Sequence, residues 1–166
     1  MTAEQYERMV APLRARAGGA ELLSDVNRAL TYLGYVAYPL LLVVLLFRSD
    51  LALLVRCVLV PGVAFAAITL FRAWCNAPRP YEVLAIDPLI KKDTGGKSFP
   101  SRHTFSMFMI AFAWLAAEPL LGILLLLGAC VLAVVRVLGG VHFPRDVVAG
   151  ALLALAFYII GFVLIP

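Results

Sequence analysis

The chain contains two histidines, His103 and His142, and each stands in a short polar segment beside a long apolar one. Histidine titrates near neutral pH and can act as an acid, a base or a nucleophile. Asp146 follows His142 by four residues, so the two side chains share one face if a helix begins here. A carboxylate in that position can accept a hydrogen bond from one imidazole nitrogen and leave the other nitrogen free to attack. A single histidine at a helix end is more often structural, but two with a positioned carboxylate favour catalysis.

Arginines form a second set of polar groups around these histidines. Guanidinium groups match phosphate oxygens in a bidentate manner, and arginines at a membrane edge are costly unless they are paired or functional. Arginines at helix ends usually extend their side chains to the membrane interface, a behaviour called snorkelling. Snorkelling is a weaker explanation for four arginines that all lie near both histidines. The sequence therefore predicts a phosphate site built by Arg72, Arg79, Arg102 and Arg136.

A glycine-containing segment, residues 95–101, precedes the first histidine and a predicted helix start. Glycines allow backbone N–H groups to point at an anion, and a helix N-terminus favours negative charge. Ser101 is predicted to cap the helix and to donate its hydroxyl to a phosphate oxygen. Such turns are common, so this signal alone is weak.

Long apolar segments must position these residues. Hydrophobic residues make up 63% of the 166 residues and charged residues 14%, whereas soluble domains rarely exceed about half apolar content. A helix needs roughly 20 apolar residues to cross a bilayer. The pattern predicts an all-α, polytopic transmembrane helical bundle with about five spanning helices, at about 30–47, 51–71, 102–117, 119–137 and 146–165.

The remaining segments divide the chain and orient it. Residues 1–29 are predicted to form an N-terminal surface segment, either an interfacial amphipathic helix or a solvated tail, and 30–166 a membrane-embedded domain. With five spans, the N-terminus and both histidines lie on one side of the membrane. Of the 14 Lys and Arg residues, only Arg48 and Arg56 fall on the other side. The positive-inside rule then predicts a cytoplasmic face for the site, in the cell membrane.

Cysteines and net charge add little. The three cysteines are far apart and lack metal-ligand spacing, so they predict neither a disulfide nor a metal site. A net charge of +4 is compatible with anionic lipid, and we find no nucleic-acid motif. The sequence leaves the oligomeric state open, including a homo-oligomer.

Three motifs in order carry a family resemblance. They are Arg72-x6-Arg79-Pro80, then Pro100-Ser101-Arg102-His103, then Arg136-x5-His142-x3-Asp146. Together they resemble the signature of the type 2 phosphatidic acid phosphatase (PAP2) superfamily, and the match is specific as a combination. The resemblance implies a PAP2-like core and a membrane lipid phosphatase that needs no metal or other cofactor.

The resemblance also implies a role for each residue. His142 would attack phosphorus and form a phosphohistidine, with Asp146 orienting it, and His103 would protonate the leaving oxygen and then activate water. Phosphate binding would fall to Arg72, Arg79, Ser101, Arg102 and Arg136. This chain departs from the family pattern at three positions: Arg72 replaces a lysine, Arg102 a glycine and Val135 a serine. The Arg102 side chain is then available for a second phosphate.

These observations favour hydrolysis of a lipid phosphate or diphosphate over other functions. The predicted substrates are an isoprenoid-carrier phosphate and phosphatidylglycerophosphate, with membrane lipids as surroundings and no nucleic acid as partner. A non-catalytic phospholipid or isoprenoid-phosphate binder or carrier is the alternative, although such a protein would not need the nucleophile and the acid. A transporter would place its polar residues near the middle of the spans instead of at one edge.

Overall fold

The structure is a computed structural model that describes residues 1–164. Helices account for all of the regular structure in that range, which confirms the all-α prediction. A π-helical segment, Ile159–Leu164, continues the last α-helix. The α-helices are α1 (Ala3–Ala15), α2 (Gly19–Phe47), α3 (Leu51–Cys75), α4 (Pro80–Val83), α5 (Arg102–Ala117), α6 (Pro119–Leu138) and α7 (Pro144–Tyr158).

Four segments of the described residues are long and apolar enough to cross a membrane: Gly19–Phe47, Leu51–Val83 (α3 with the short α4 after it), Pro119–Leu138 and Pro144–Leu164. The fifth predicted span corresponds to α5, which has 16 residues. At 1.5 Å per residue it extends about 24 Å, less than the roughly 30 Å hydrocarbon core. It lies at the centre of the bundle and contacts α2, α3, α6 and α7. Residue 165, the predicted end of the last span, lies outside the described residues.

The first long helix, α2, begins earlier than the sequence predicts. It starts at Gly19 instead of near residue 30 and runs without a break to Phe47. Its polar first third stands beyond the apolar part on the side of the histidines. The predicted division at residue 29 therefore falls within a helix, and the two-part description of the chain stays a prediction.

Small and medium apolar side chains form the core between α2, α5 and α6. Leu41 and Leu45 of α2 are fully buried one turn apart, and they pack in a cluster that includes Ala111 of α5 and Leu132 of α6. The indole of Trp114 in α5 donates to the Ala37 carbonyl of α2 at 2.9 Å. Many outward-facing residues are apolar and exposed, as expected for helices in lipid.

The N-terminal helix α1 packs on the bundle at the end that carries the histidines. Thr2 and Gln5 form a capping box that starts the helix. Tyr6 and Val10 are fully buried, and the Tyr6 hydroxyl donates to the Leu138 carbonyl at the end of α6, at 3.1 Å. The segment is therefore helical and packed against the bundle, and its placement at the membrane interface stays a prediction.

Candidate active site

His142 lies in the turn between α6 and α7, at the foot of α7. The residue is 1% exposed, and its backbone N–H donates to the Arg136 carbonyl at 3.3 Å. Gly140 turns the chain here with φ +72°, a conformation that side-chain-bearing residues rarely adopt. Asp146, in the first turn of α7, is fully buried and accepts the Phe143 N–H at 3.0 Å. The spacing of four residues thus brings the imidazole and the carboxylate together, as predicted.

A serine joins the two groups. The nearest carboxylate oxygen of Asp146, Oδ2, lies 3.6 Å from Nδ1 of His142, which is beyond hydrogen-bond distance. Ser98 Oγ donates to Asp146 Oδ2 at 2.6 Å and lies 3.3 Å from Nδ1 of His142. Because Ser98 donates its hydroxyl proton to the Asp146 carboxylate, its oxygen can accept a hydrogen bond from Nδ1–H of His142. The predicted direct hydrogen bond is therefore replaced by two hydrogen bonds in series, from the His142 imidazole to the Ser98 hydroxyl and from that hydroxyl to the Asp146 carboxylate. This arrangement leaves Nε2 of His142 as the free nitrogen.

Burial and positive charge keep His142 neutral. Burial lowers the pKa of His142 to about 4, and the Arg136 and Arg79 guanidinium groups lower it as well, against the opposing effect of Asp146. The imidazole is therefore uncharged at neutral pH, the form in which a nitrogen lone pair is available.

Arg72 and Arg79 are buried and hold the loop that precedes α5. One terminal nitrogen of Arg72, Nη1, donates to the carbonyls of Ser98 (3.3 Å) and Pro100. Arg79 donates from Nε to Gly96 O at 3.0 Å and from Nη1 to Val141 O at 3.2 Å, next to His142. The two arginines therefore link the second and third motifs through backbone carbonyls.

Arg136 is buried at the end of α6, 1% exposed. Its Nη1 donates to Asn27 Oδ1 of α2 at 3.1 Å. Its Nε and Nη2 are buried and have no hydrogen-bond partner among the described residues. Unpaired buried donors are rare in proteins, and a guanidinium edge with two of them matches two oxygens of one phosphate.

Ser101 and Arg102 stand at the start of α5. Ser101 is the N-terminal cap residue by position, but its side chain makes no capping hydrogen bond, contrary to the prediction. Instead it accepts from Thr104 Oγ1 at 3.0 Å, and its backbone N–H donates to the Asp146 carbonyl at 2.8 Å. The Arg102 side chain is exposed and lies over the Phe65 ring, 5.6 Å from its centre. Its guanidinium stands at the rim of the site.

At the end of the bundle that carries the histidines, the backbones of α5 and α7 approach each other with no side chain between them. A Cβ at Gly150 would stand 2.8 Å from the Ser101 carbonyl, so only glycine permits the approach. This contact brings His103, at the first turn of α5, towards the third motif. Arg136, Lys92, His142 and Arg102 are all near enough to act on His103 electrostatically.

The structure adds three residues that the motifs do not contain: Lys92, Ser98 and Asn27. Lys92 is half-buried, and burial lowers its pKa to about 8, with Arg136, Arg79, Arg102 and Arg72 lowering it too. Ile90, two residues earlier, fixes the loop by donating its N–H to the Gly139 carbonyl at 3.1 Å. A lysine in a long loop carries no sequence signal of its own, and neither does an asparagine in the first part of α2.

Positive charge dominates the completed site. The carboxylates within it are already engaged: Asp146 with Ser98 and Phe143, and Glu82 with the backbone N–H groups of Arg79 (2.7 Å) and Gly96 (2.8 Å). The arrangement can hold a multiply charged anion against a neutral imidazole. In the described part of the chain no cluster of three metal-ligating side chains occurs.

Comparison with known proteins places the chain in a family. Residues 50–166, well over half of its length, match the PAP2 superfamily. The chain belongs to the PAP2 superfamily. The crystal structure of Aquifex aeolicus LpxE superposes on it with a TM-score of 0.75, over 96% of this chain and 93% of that one, at 29% identity.

Two further relatives agree with this assignment. The first transmembrane PAP2 type phosphatidylglycerolphosphate phosphatase from Bacillus subtilis has the same fold, with a TM-score of 0.66 over 95% of this chain and 82% of that one, at 23% identity. The bacitracin transport permease protein BcrC of Bacillus licheniformis is 45% identical over 56 residues. That match covers 34% of this chain and little more than a quarter, 28%, of the relative. The chain is a multi-pass membrane protein of the PAP2 superfamily.

Proposed function

We propose that this PAP2 protein hydrolyses a lipid phosphate or diphosphate, of the isoprenoid-carrier or phosphatidylglycerophosphate type, through a phosphohistidine on His142. One observation carries the proposal: Ser98 and Asp146 hold the Nδ1 side of the ring, so Nε2 is the nucleophilic nitrogen. The ring is neutral at physiological pH and is surrounded by cations that bind the substrate anion.

The reaction proceeds in two displacements. The lone pair on Nε2 of His142 attacks phosphorus while the bond from phosphorus to the lipid oxygen breaks. His103, which is protonated once the substrate anion is bound beside it, gives its proton to that oxygen and becomes neutral. His103 then takes a proton from water, and the resulting hydroxide attacks phosphorus and breaks the P–N bond. Inorganic phosphate leaves, and both histidines return to their starting protonation states.

Five residues bind the phosphoryl group in this proposal: Arg72, Arg79, Ser101, Arg102 and Arg136. The two unpaired donors of Arg136 support its role, because they lack a protein partner among the described residues. Phosphoryl transfer depends chiefly on positioning and on stabilising charge on the oxygens, which buried guanidinium groups supply.

We further propose that the site faces the cytoplasm and that residues 30–166 form the catalytic domain. On the opposite side, Arg48 pairs with Glu118 at 2.5 Å, which supports the placement of both of these turns on one surface away from the histidines. Single cysteines introduced in the 82–97 loop, in a background without natural cysteines, test the orientation in intact cells. Labelling by a membrane-impermeant reagent without cell lysis would reject the cytoplasmic placement.

The function itself is tested by phosphate release from purified protein in detergent with EDTA, across a panel of lipid phosphates. We expect release that His142→Ala abolishes, and the preferred lipid identifies the substrate. Lipid binding without release by the native protein would favour the non-catalytic carrier. Release that survives the substitution would assign the nucleophile to another residue.

A further inference from the structure

Arg136 is a buried cation that pairs with no carboxylate in the described part of the chain. Buried charged side chains are normally paired with an opposite charge. The acceptor of Arg136 is instead the side-chain amide oxygen of Asn27, at 3.1 Å. A neutral group therefore occupies the place where a buried arginine usually has a carboxylate.

Packing of the first third of α2 fixes the position of Asn27. Leu23, one helical turn before Asn27, is buried in a cluster that includes Val135, the residue before Arg136 in α6. The contact that buries Leu23 therefore also places the amide of Asn27 against the guanidinium. α2 precedes residues 50–166, which match the PAP2 superfamily, so Asn27 belongs to none of the three motifs.

The hydrogen bond to Asn27 decides which edge of the guanidinium is free. Nη1 of Arg136 donates to the amide oxygen, whereas Nε and Nη2 are buried and have no hydrogen-bond partner among the described residues. Nε and Nη2 form one edge of the planar group, and such an edge matches two oxygens of a phosphate. Because rotation of the side chain would break the bond to Asn27, the amide holds the Nε–Nη2 edge in one orientation.

The neutrality of Asn27 matters as much as its position. An aspartate has nearly the same shape and could accept the same hydrogen bond, but its negative charge would offset the charge of Arg136. It would also repel the phosphate oxygens on the other edge of the guanidinium, and charges in a buried site are screened little by salt. The carboxylates that the site does contain, Asp146 and Glu82, accept hydrogen bonds from Ser98 and from backbone N–H groups instead.

We propose that Asn27 is a positioning residue for phosphate binding. It orients the Nε–Nη2 edge of Arg136 and, because it is neutral, leaves the full charge of that arginine to the substrate. This inference rests on the proposed function. It makes the first third of α2 part of the active site, although this segment carries none of the family motifs. At position 27 an acidic side chain should therefore impair phosphate binding more than a small apolar one.

The test compares Asn27→Asp and Asn27→Ala with the matched control Ala29→Asp. Ala29 is exposed and lies about 200° around α2 from Asn27 at 3.6 residues per turn, so the control adds the same charge on the far side of the helix. KM is measured with a lipid phosphate, and inorganic phosphate is titrated as a competitive inhibitor to give Ki. We expect both constants to rise several-fold in Asn27→Ala and about thirtyfold or more in Asn27→Asp. Ala29→Asp should change them less than about twofold.

A merely structural role predicts the opposite order, because aspartate keeps the shape and the hydrogen bond that alanine loses. A Ki in Asn27→Asp that is equal to or below the Ki in Asn27→Ala would therefore overturn the inference. If Asn27→Asp elutes as an aggregate, Asn27→Ala decides alone, and a Ki unchanged from that of the native protein would reject the role of Asn27. Should the native protein hydrolyse no lipid phosphate, the proposed function fails, and binding of radiolabelled inorganic phosphate to the same variants replaces Ki. The same order would then still support the inference, and any other order would reject it.

Discussion

Replacing Asp146 by asparagine removes a charge with little change in shape. Oδ2 accepts from Ser98 and from the Phe143 N–H, whereas Oδ1 makes no hydrogen bond. An asparagine can therefore keep its oxygen in the Oδ2 position and place its NH₂ group at the Oδ1 position, where only the ion pair with the exposed Arg145, 3.7 Å away, is lost. Ser98 can still accept the Nδ1 proton of His142, so the ring keeps its orientation.

The lost charge acts on the ring as it becomes positive during attack on phosphorus. Asp146 Oδ2 lies 3.6 Å from Nδ1 of His142. At an effective dielectric constant of about 20, two unit charges at that distance attract by about 4.6 kcal/mol. The ring carries only part of a unit charge in the transition state, so we expect kcat to fall about 10²- to 10³-fold, at 1.4 kcal/mol for each factor of ten.

Steady-state phosphate release measures this effect, and base-quenched capture of radiolabelled phosphoenzyme locates it at the first step. KM should stay within about threefold, because arginines and not Asp146 bind the phosphate. Asp93→Asn, an exposed carboxylate in the loop before α5, is the control and should leave kcat unchanged. A fall in kcat of less than tenfold for Asp146→Asn would refute the electrostatic reasoning and leave Ser98 alone as the group that orients His142.

Three other perturbations test how the site is positioned and charged. Tyr6→Phe removes two hydrogen bonds of the hydroxyl, one donated to Leu138 O and one accepted from Leu89 N–H, each worth about 1 kcal/mol. Steady-state kinetics should show kcat reduced several-fold with KM unchanged, because the turn before His142 loosens. Asn27→Ala frees Arg136, and the same assay should show a several-fold higher KM with a smaller change in kcat. Lys92 has a pKa lowered to about 8, so it is charged below that pH and neutral above it. KM should therefore rise as the pH increases through 8. The pH profile of KM for Lys92→Gln should lack this rise.

Most helix boundaries could be predicted because charged residues and prolines interrupt the apolar segments. The predicted span 51–71 begins where α3 begins, and α5 covers the predicted 102–117. The early start of α2 could not be predicted from hydropathy, since its first third is polar. That part is helical because it packs at the active-site end, where Leu23 is buried and Asn27 contacts Arg136.

The candidate site was predictable as far as its motifs extend. His142 and Asp146 are four residues apart, so local geometry relates them. Ser98, by contrast, stands 48 residues from Asp146, and only the packing of the loop against the foot of α7 brings its hydroxyl to 2.6 Å. Residues that act through such long-range contacts have no periodicity or spacing by which a sequence could identify them.

The arginines of this site hold the fold as well as standing where phosphate is proposed to bind. They donate hydrogen bonds to backbone carbonyls in the loops. Arg72 donates to the carbonyls of Ser98 and Pro100, and Arg79 donates to those of Gly96 and Val141. A single nitrogen of Arg72, Nη1, makes both of its bonds, so Nε and Nη2 can contact a phosphate, whereas a lysine would offer three donors on one atom. The loop carrying Ser98 is therefore held by one nitrogen of Arg72 and by Nε of Arg79. The chain from His142 through Ser98 to Asp146 and the arginines proposed to bind phosphate are therefore parts of one hydrogen-bonded structure.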